Sequence, residues 1–167
     1  SMASLHPLAE VGGDDVGVIG DLPRPALGEL LAGGEDHDAV GDPHLYAGGL
    51  SAMAKGHFLN PHIDNSHDGE QQNYRVLNLL YYITPDWDAK NGGNLELWDE
   101  NVTTPIEIPS QFNRLVLMST NDKSFHSVNE VKADGVRRCV SNYYFSPHSP
   151  NGYETTHVTY FMARPEQ

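Results

Sequence analysis

The 167-residue chain has few cations, a single cysteine, no long apolar run and no extended helical pattern. Ten Lys and Arg stand against 23 Asp and Glu, for a formal charge of −13. Nucleic-acid binding rests on neutralising phosphates with Lys and Arg, so a nucleic-acid partner is not expected. The same deficit argues against an anionic membrane surface. One cysteine, Cys139, excludes an internal disulfide framework. No apolar run approaches the roughly 18 residues of a membrane-spanning helix. The sequence opens without a basic stretch followed by an apolar run. No signal peptide is therefore expected, Ser1-Met2 reads as a cloning remnant, and the expected location is cytoplasmic.

What is present is 38% apolar residues, enough for one compact core, with 16 Gly and 11 Pro to make many turns. The first fifty residues are acidic and turn-rich, as in Gly33-Gly34-Glu35-Asp36 and Gly41-Asp42-Pro43. A short helix is expected from Pro25 to Leu31, with Leu27, Leu30 and Leu31 on one face. From residue 51 the texture changes to short strands. The expected strands cover residues 76–83, 94–98, 105–108, 114–118, 125–131, 137–145 and 157–162. Between them lie turn signals such as Asn91-Gly92-Gly93 and Ala133-Asp134-Gly135. The reading is one domain, with an irregular acidic segment over 1–50 packing on an all-β core over 51–167. Strands this short and this closely spaced by turns fit a cupin-like double-sheet jelly roll.

Nine histidines draw attention to the chemistry. In His62-Ile63-Asp64 the first and third residues project from the same side of a strand. An imidazole nitrogen and a carboxylate oxygen side by side are two ligands for a divalent metal. His126, in Ser124-Phe125-His126-Ser127-Val128, offers a third. Two His and one carboxylate on one side of an ion leave its other side open, the facial arrangement of non-haem Fe(II) oxygenases. A His-x-Asp spacing is short enough to arise by chance, so by itself it leaves an ordinary surface or core histidine equally open.

In Val136 to Phe145, Arg137, Cys139, Ser141 and Tyr143 share one face of a strand. Cys139 and Ser141 are small, so a linear molecule lying on that face would end at Arg137. An inward Arg needs a partner, which a dicarboxylate would supply as a bidentate carboxylate. Arg138 points the other way. Tyr81-Tyr82 in the central strand offers a hydroxyl that could reach the same carboxylate, although aromatic core filling explains either residue taken alone.

These pieces, in this order, resemble the 2-oxoglutarate- and Fe(II)-dependent dioxygenases of the prolyl 4-hydroxylase-like branch. The resemblance runs over about residues 50–146. It passes through Gly56 to Asn65, Leu80-Tyr81-Tyr82-Ile83, Asp86-Trp87-Asp88-Ala89-Lys90, Gly92-Gly93-Asn94-Leu95, His126-Ser127-Val128 and Arg137 to Phe145. It is especially similar to the hypoxia-inducible-factor prolyl hydroxylases and their bacterial relatives. The resemblance implies a double-stranded β-helix. It implies Fe(II) held by His62, Asp64 and His126, and 2-oxoglutarate held at its far carboxylate by Arg137 with Tyr82. Ser141 is expected on the cosubstrate face.

The implied reaction uses O2, with ascorbate as reductant. It hydroxylates an unactivated C–H bond and releases succinate and CO2. A prolyl residue in a peptide or protein is the expected substrate. A free amino acid or small metabolite, a non-catalytic metal- or acid-binding module, and a zinc hydrolase remain open. Relatives carry a Tyr where Met53 stands here, and Tyr46 from a nearby loop is a candidate replacement. The polar segment 65–73 is expected to border the substrate entrance, with His67 solvated. His57 is expected to face away from the metal, and His148 and His157 are expected to be ordinary surface residues.

Overall fold

The computed structural model describes residues 9–10, 16–19, 46–149, 152 and 156–165. The helix expected at 25–31 lies outside the described residues. The strands are β1 (Ala9–Glu10), β2 (Val16–Ile19), β3 (Tyr46–Ala54), β4 (Leu59–Ile63), β5 (Tyr74–Tyr82), β6 (Leu95–Leu97), β7 (Ile106–Ile108), β8 (Leu115–Ser119), β9 (His126–Val128), β10 (Val136–Ser146) and β11 (Tyr160–Phe161). They form a six-stranded sheet in the order β1-β2-β8-β5-β10-β3 and a five-stranded sheet in the order β11-β4-β9-β6-β7. All the pairings are antiparallel.

Both sheets feed one core. Tyr82, Val116 and Cys139 from the larger sheet pack with Leu95 and Ile108 from the smaller. On the opposite face of β5, Leu79 and Tyr81 are buried with Leu115. With both faces covered, the β5 sequence lacks the apolar–polar alternation of a half-exposed strand.

Several boundaries differ from those read in the sequence. β3 runs across the change of texture at residue 50, and no strand was expected there. Its sequence, Tyr-Ala-Gly-Gly-Leu-Ser-Ala-Met-Ala, is poor in strand formers. It is made a strand by continuous pairing with β10, from Val136↔Ala54 to Tyr144↔Tyr46. Close packing there demands glycine, since a Cβ at Gly48 would lie 2.2 Å from Asn142 Oδ1 and 2.9 Å from the Ser141 carbonyl oxygen. β2, within the segment read as irregular, pairs with β8. β9 is shorter than expected because the chain leaves the ladder after Val128. Asn129 N–H then donates to the Asn94 carbonyl and Val131 N–H to the His57 carbonyl.

Candidate metal and cosubstrate site

His62 is the penultimate residue of β4, and His126 opens β9 directly opposite it. Asp64 follows β4. Their ligand atoms all lie within 4.8 Å of one another. His62 Nε2 is 3.8 Å from Asp64 Oδ1, and His126 Nε2 is 3.5 Å from Asp64 Oδ2.

Backbone carbonyls set both imidazoles. His62 Nδ1–H donates to the Asn60 carbonyl at 2.9 Å, and His126 Nδ1–H donates to the Ser124 carbonyl at 2.9 Å. A carbonyl only accepts, so each neutral ring carries its proton on Nδ1 and turns the Nε2 lone pair toward Asp64. Ligand histidines are commonly oriented in this way.

Asp64 is held from the other side. Its Oδ2 accepts from Asn78 Nδ2 at 2.7 Å and from Arg75 Nη2 at 3.0 Å. Arg75 is itself fixed by Asn78 Oδ1 at 2.9 Å, by Asn65 Oδ1 at 3.1 Å and by the Tyr143 ring 3.9 Å away. Among the described residues Asp64 Oδ1 takes no hydrogen bond, which leaves it for an ion.

Burial alone would push the Asp64 carboxyl up. His126, Arg75, the Asn78 hydrogen bond and His62 outweigh it, so Asp64 stays ionised below the usual carboxylate range. Burial pushes His126 down to about 4, opposed mainly by Asp64 and reinforced by His62. A neutral imidazole and an ionised carboxylate are the protonation states a divalent metal requires.

A pH dependence follows. Between its ordinary value of 6.5 and about 4, His126 binds fewer protons in the folded protein than in the unfolded chain. The metal-free protein therefore loses stability as pH falls through that window. Thermal unfolding in chelator is expected to shift to lower temperature from about pH 7 to about pH 4.5. The dependence is expected to be shallower in His126→Asn.

The cation end lies on the same inner face. Arg137, on β10, is 4% exposed. Its guanidinium carbon sits 4.8 Å from the centre of the Tyr82 ring, and Nη1 approaches Met53 Sδ at 3.7 Å. Among the described residues no carboxylate pairs with Arg137, and its buried Nε has no hydrogen-bond partner. The buried Tyr82 hydroxyl also lacks a partner. Burial pushes that phenol well above its ordinary value. An unpaired buried cation beside an unpaired buried hydroxyl is costly unless an anion joins them.

Gly92 and Gly93, both with positive φ, let their loop pass close by. A Cβ at Gly93 would lie 3.3 Å from Arg137 Cγ. Cys139 and Ser141 follow on the same face, buried, with Ser141 Oγ 3.9 Å from Cys139 Sγ. Arg138 is exposed on the opposite side. Asn78, which touches Asp64, and Tyr82, which touches Arg137, stand on one face of β5 four residues apart.

Other expectations fare differently. Met53 lies against the Arg137 guanidinium. Tyr46 belongs to β3 and not to a loop, and its side chain is outside the described residues. His67 is not solvated: it is 8% exposed, with Nδ1 2.7 Å from Ser66 Oγ and its ring 4.4 Å from that of Tyr74. The cause is a β-bridge, His67↔Tyr74, that folds the loop back on β5. His57 and His148 are exposed. His157 is half-buried, and its backbone N–H and carbonyl both bond Ser66.

The supporting residues Arg75 and Asn78 were not found from the sequence. Alternation back from Tyr82 through Leu80 and Asn78 places Val76, not Arg75, on the inner face. In the structure Tyr144 faces Leu77 and Phe145 faces Arg75, so Val76 is an extra residue. This bulge brings Arg75 to the side that carries Asn78.

Among the described residues, no helix is long and apolar enough to cross a membrane. The fold is similar to that of a prolyl 4-hydroxylase from Phytophthora capsici. The TM-score is 0.52 at 21% identity, with 74% of this chain and 40% of that chain covered. In sequence the chain is 34% identical over 88 residues to the mouse (Mus musculus) prolyl 3-hydroxylase OGFOD1. That alignment covers 48% of this chain and 16% of the relative. It is 31% identical over 86 residues to Egl nine homolog 1 of Homo sapiens, covering 50% of this chain and 18% of the relative. The chain thus spans less than a quarter of the length of these relatives. The family profile of the 2OG-Fe(II) oxygenase superfamily matches residues 48–146, the stretch that holds His62, Asp64, His126 and Arg137. The chain belongs to this superfamily, whose chemistry calls for Fe(II), 2-oxoglutarate and O2.

Proposed function

We propose that the chain hydroxylates a prolyl residue in a peptide or protein, with His62, Asp64 and His126 holding Fe(II). Arg137 and Tyr82 take the distal carboxylate of 2-oxoglutarate. The observation that carries this reading is the buried Arg137, unpaired among the described residues and beside the partnerless Tyr82 hydroxyl, on the same inner face as the His-Asp-His cluster. A zinc hydrolase or a plain metal-binding module has no use for that pair.

Each residue has a distinct task. The backbone carbonyls of Asn60 and Ser124 keep the two imidazoles turned with Nε2 inward. Arg75 and Asn78 hold one Asp64 oxygen, so the carboxylate presents the other. Arg137 Nη1 is turned to Met53, so its Nε edge is left to grip a carboxylate side-on. Tyr82 donates its hydroxyl proton to the same carboxylate, and its raised pKa keeps it a donor. Ser141 and Cys139 are small enough to leave room for the chain of the cosubstrate. When bound, Fe(II) with O2 and 2-oxoglutarate supplies the oxidation: 2-oxoglutarate becomes succinate and CO2, and one oxygen atom enters a substrate C–H bond. Ascorbate serves as the reductant that keeps the iron ferrous.

The prolyl substrate is supported by the relatives, a prolyl 3-hydroxylase and a hypoxia-inducible factor prolyl hydroxylase of Caenorhabditis elegans, the latter 31% identical over 99 residues. A charge of −13 favours neutral or basic peptides by steering. The domain reading is one unit, with 1–50 packing on the core. It is supported by the β2–β8 pairing and by the burial of Leu79, Tyr81 and Leu115 on the outer face of the larger sheet. A lone buried cysteine fits a reducing, cytoplasmic location.

The test is succinate release from 2-oxoglutarate by protein supplied with Fe(II), ascorbate and air. Proline-containing peptides are expected to raise the rate several-fold and free proline to leave it at the uncoupled level. Equal stimulation by free proline would move the substrate to a small amino acid. No consumption of 2-oxoglutarate with any peptide would sink the assignment.

A further inference from the structure

The residues after 146 lie beyond the match to the superfamily, yet one stretch of them is fastened to the metal-binding strand. β11 pairs with β4 in the register Tyr160↔Ile63 and Phe161↔His62. His62 in turn faces His126, and His126 faces Leu97. Phe161, His62 and His126 therefore stand in one row across three adjacent strands, and directly paired residues share a face of the sheet. The Phe161 ring stacks on the His62 imidazole, with centroids 5.0 Å apart and planes 23° apart. The His126 ring flanks His62 at 4.3 Å. His62 is thus held between an aromatic ring and the second imidazole.

The stretch is bolted at several points. Ser66 N–H and Oγ–H donate to the His157 carbonyl, and His157 N–H donates to Ser66 Oγ at 2.8 Å. Met162 N–H donates to the Pro61 carbonyl at 2.8 Å. Arg164 pairs with the buried Glu96 at 2.8 Å and donates to the carbonyls of Leu59 and Val128. These anchors run from the loop after Asp64, along β4, to β9 and β6. They fix the strand that carries Phe161 against the strand that carries His62.

We propose that residues 156–165 form a strap whose Phe161 is a positioning residue for the metal: it stacks on His62 and stops the imidazole from swinging away from Asp64 and His126. The hydrogen bond to the Asn60 carbonyl sets which way the ring is turned, and the rings of Phe161 and His126 beside it limit how far it can swing about that setting. Phe161 also keeps water from one side of the ring, although it is itself 53% exposed. The inference rests on the reading of His62, Asp64 and His126 as metal ligands.

Co(II), a spectroscopic substitute for Fe(II), tests it by its visible absorption on titration into metal-free protein. Phe161→Ala is expected to weaken Co(II) binding about tenfold, the lower end of what losing a ligand-orienting partner costs. Phe161→Leu keeps the apolar bulk and protects the fold, and is expected to bind more weakly than the parent with an altered absorption band. Phe161→Tyr, which keeps the ring, is expected to restore parent affinity. Tyr160→Ala is the control. Tyr160 is 55% exposed on the same strand, but alternation turns it away from His62, with its ring 6.4 Å from that of Phe125. It should lower thermal stability to a similar degree and leave Co(II) affinity unchanged.

Parent-like affinity and spectrum in both Phe161→Ala and Phe161→Leu would overturn the proposal. So would equal losses in Tyr160→Ala, because the effect would then be one of strap stability alone. Failure of the underlying site is read separately, as Co(II) binding to His126→Ala that matches the parent.

Discussion

His126→Ala is expected to abolish 2-oxoglutarate turnover and to weaken Co(II) or Fe(II) binding by at least about 100-fold, more than the loss of an orienting partner costs. On the proposed reading three protein ligands share the ion, and removing one would leave His62 and Asp64 with a wider opening to water. The geometry amplifies the loss. His126 is buried, its ring flanks His62 at 4.3 Å, and its Nε2 lies 3.5 Å from Asp64. Without it, Asp64 keeps its contacts to Arg75 and Asn78 and is drawn away from the vacated position. Fold survival is checked by thermal unfolding in chelator, where the variant should lack much of the acid sensitivity that His126 confers. Turnover within tenfold of the parent, in protein shown to be folded, would remove His126 from the metal site.

The parts of this site that were legible in the sequence are those where simple alternation survives. His62 and Asp64 are two apart where β4 ends, beyond the shift in register between Leu59 and His62. Arg137, Cys139 and Ser141 keep strict period 2 along β10, so all three are buried while Arg138 is exposed. The parts that were hidden depend on interruptions or on partners far away in sequence. Arg75 reaches Asp64 only because Val76 is an extra residue, and a one-residue offset moves a side chain to the other face of the sheet. β3 is glycine- and alanine-rich, and its strand character comes from its pairing with β10. His67 looked like a loop residue until a single bridge to Tyr74 buried it.

The strap shows the same limit at longer range. The run His157 to Met162 reads as a strand in the sequence, and β11 lies within it. Nothing local says that Phe161 will stand beside His62, about a hundred residues earlier in the chain. That placement is set by register across β4 and by Arg164 finding the buried Glu96. A buried carboxylate needs a partner, so Glu96 inside β6 was a signal that some cation had to arrive, but not which one.

Arg137→Ala is expected to raise the 2-oxoglutarate KM by about 100-fold, the range that loss of charge-assisted hydrogen bonds to a buried carboxylate spans. Metal affinity should stay near that of the parent, because Arg137 touches none of the three ligands. Arg137→Lys should recover only part of the loss, since an ammonium keeps the charge but not the planar fork that meets a carboxylate at two points. Tyr82→Phe, which removes one neutral donor, should cost about tenfold or less. Arg138→Ala is the register control. Its side chain is exposed, and among the described residues it holds the fold through backbone groups, as in its N–H donating to Thr84 Oγ1 at 2.7 Å. It should leave the KM within about twofold of the parent, as surface substitutions generally do. The opposite pattern, with Arg138→Ala damaging and Arg137→Ala silent, would mean that the inner face of β10 carries the even-numbered residues. Cys139 and Ser141 would then no longer share the face proposed for the cosubstrate, and the unpaired Nε of Arg137 would need another anion to explain it.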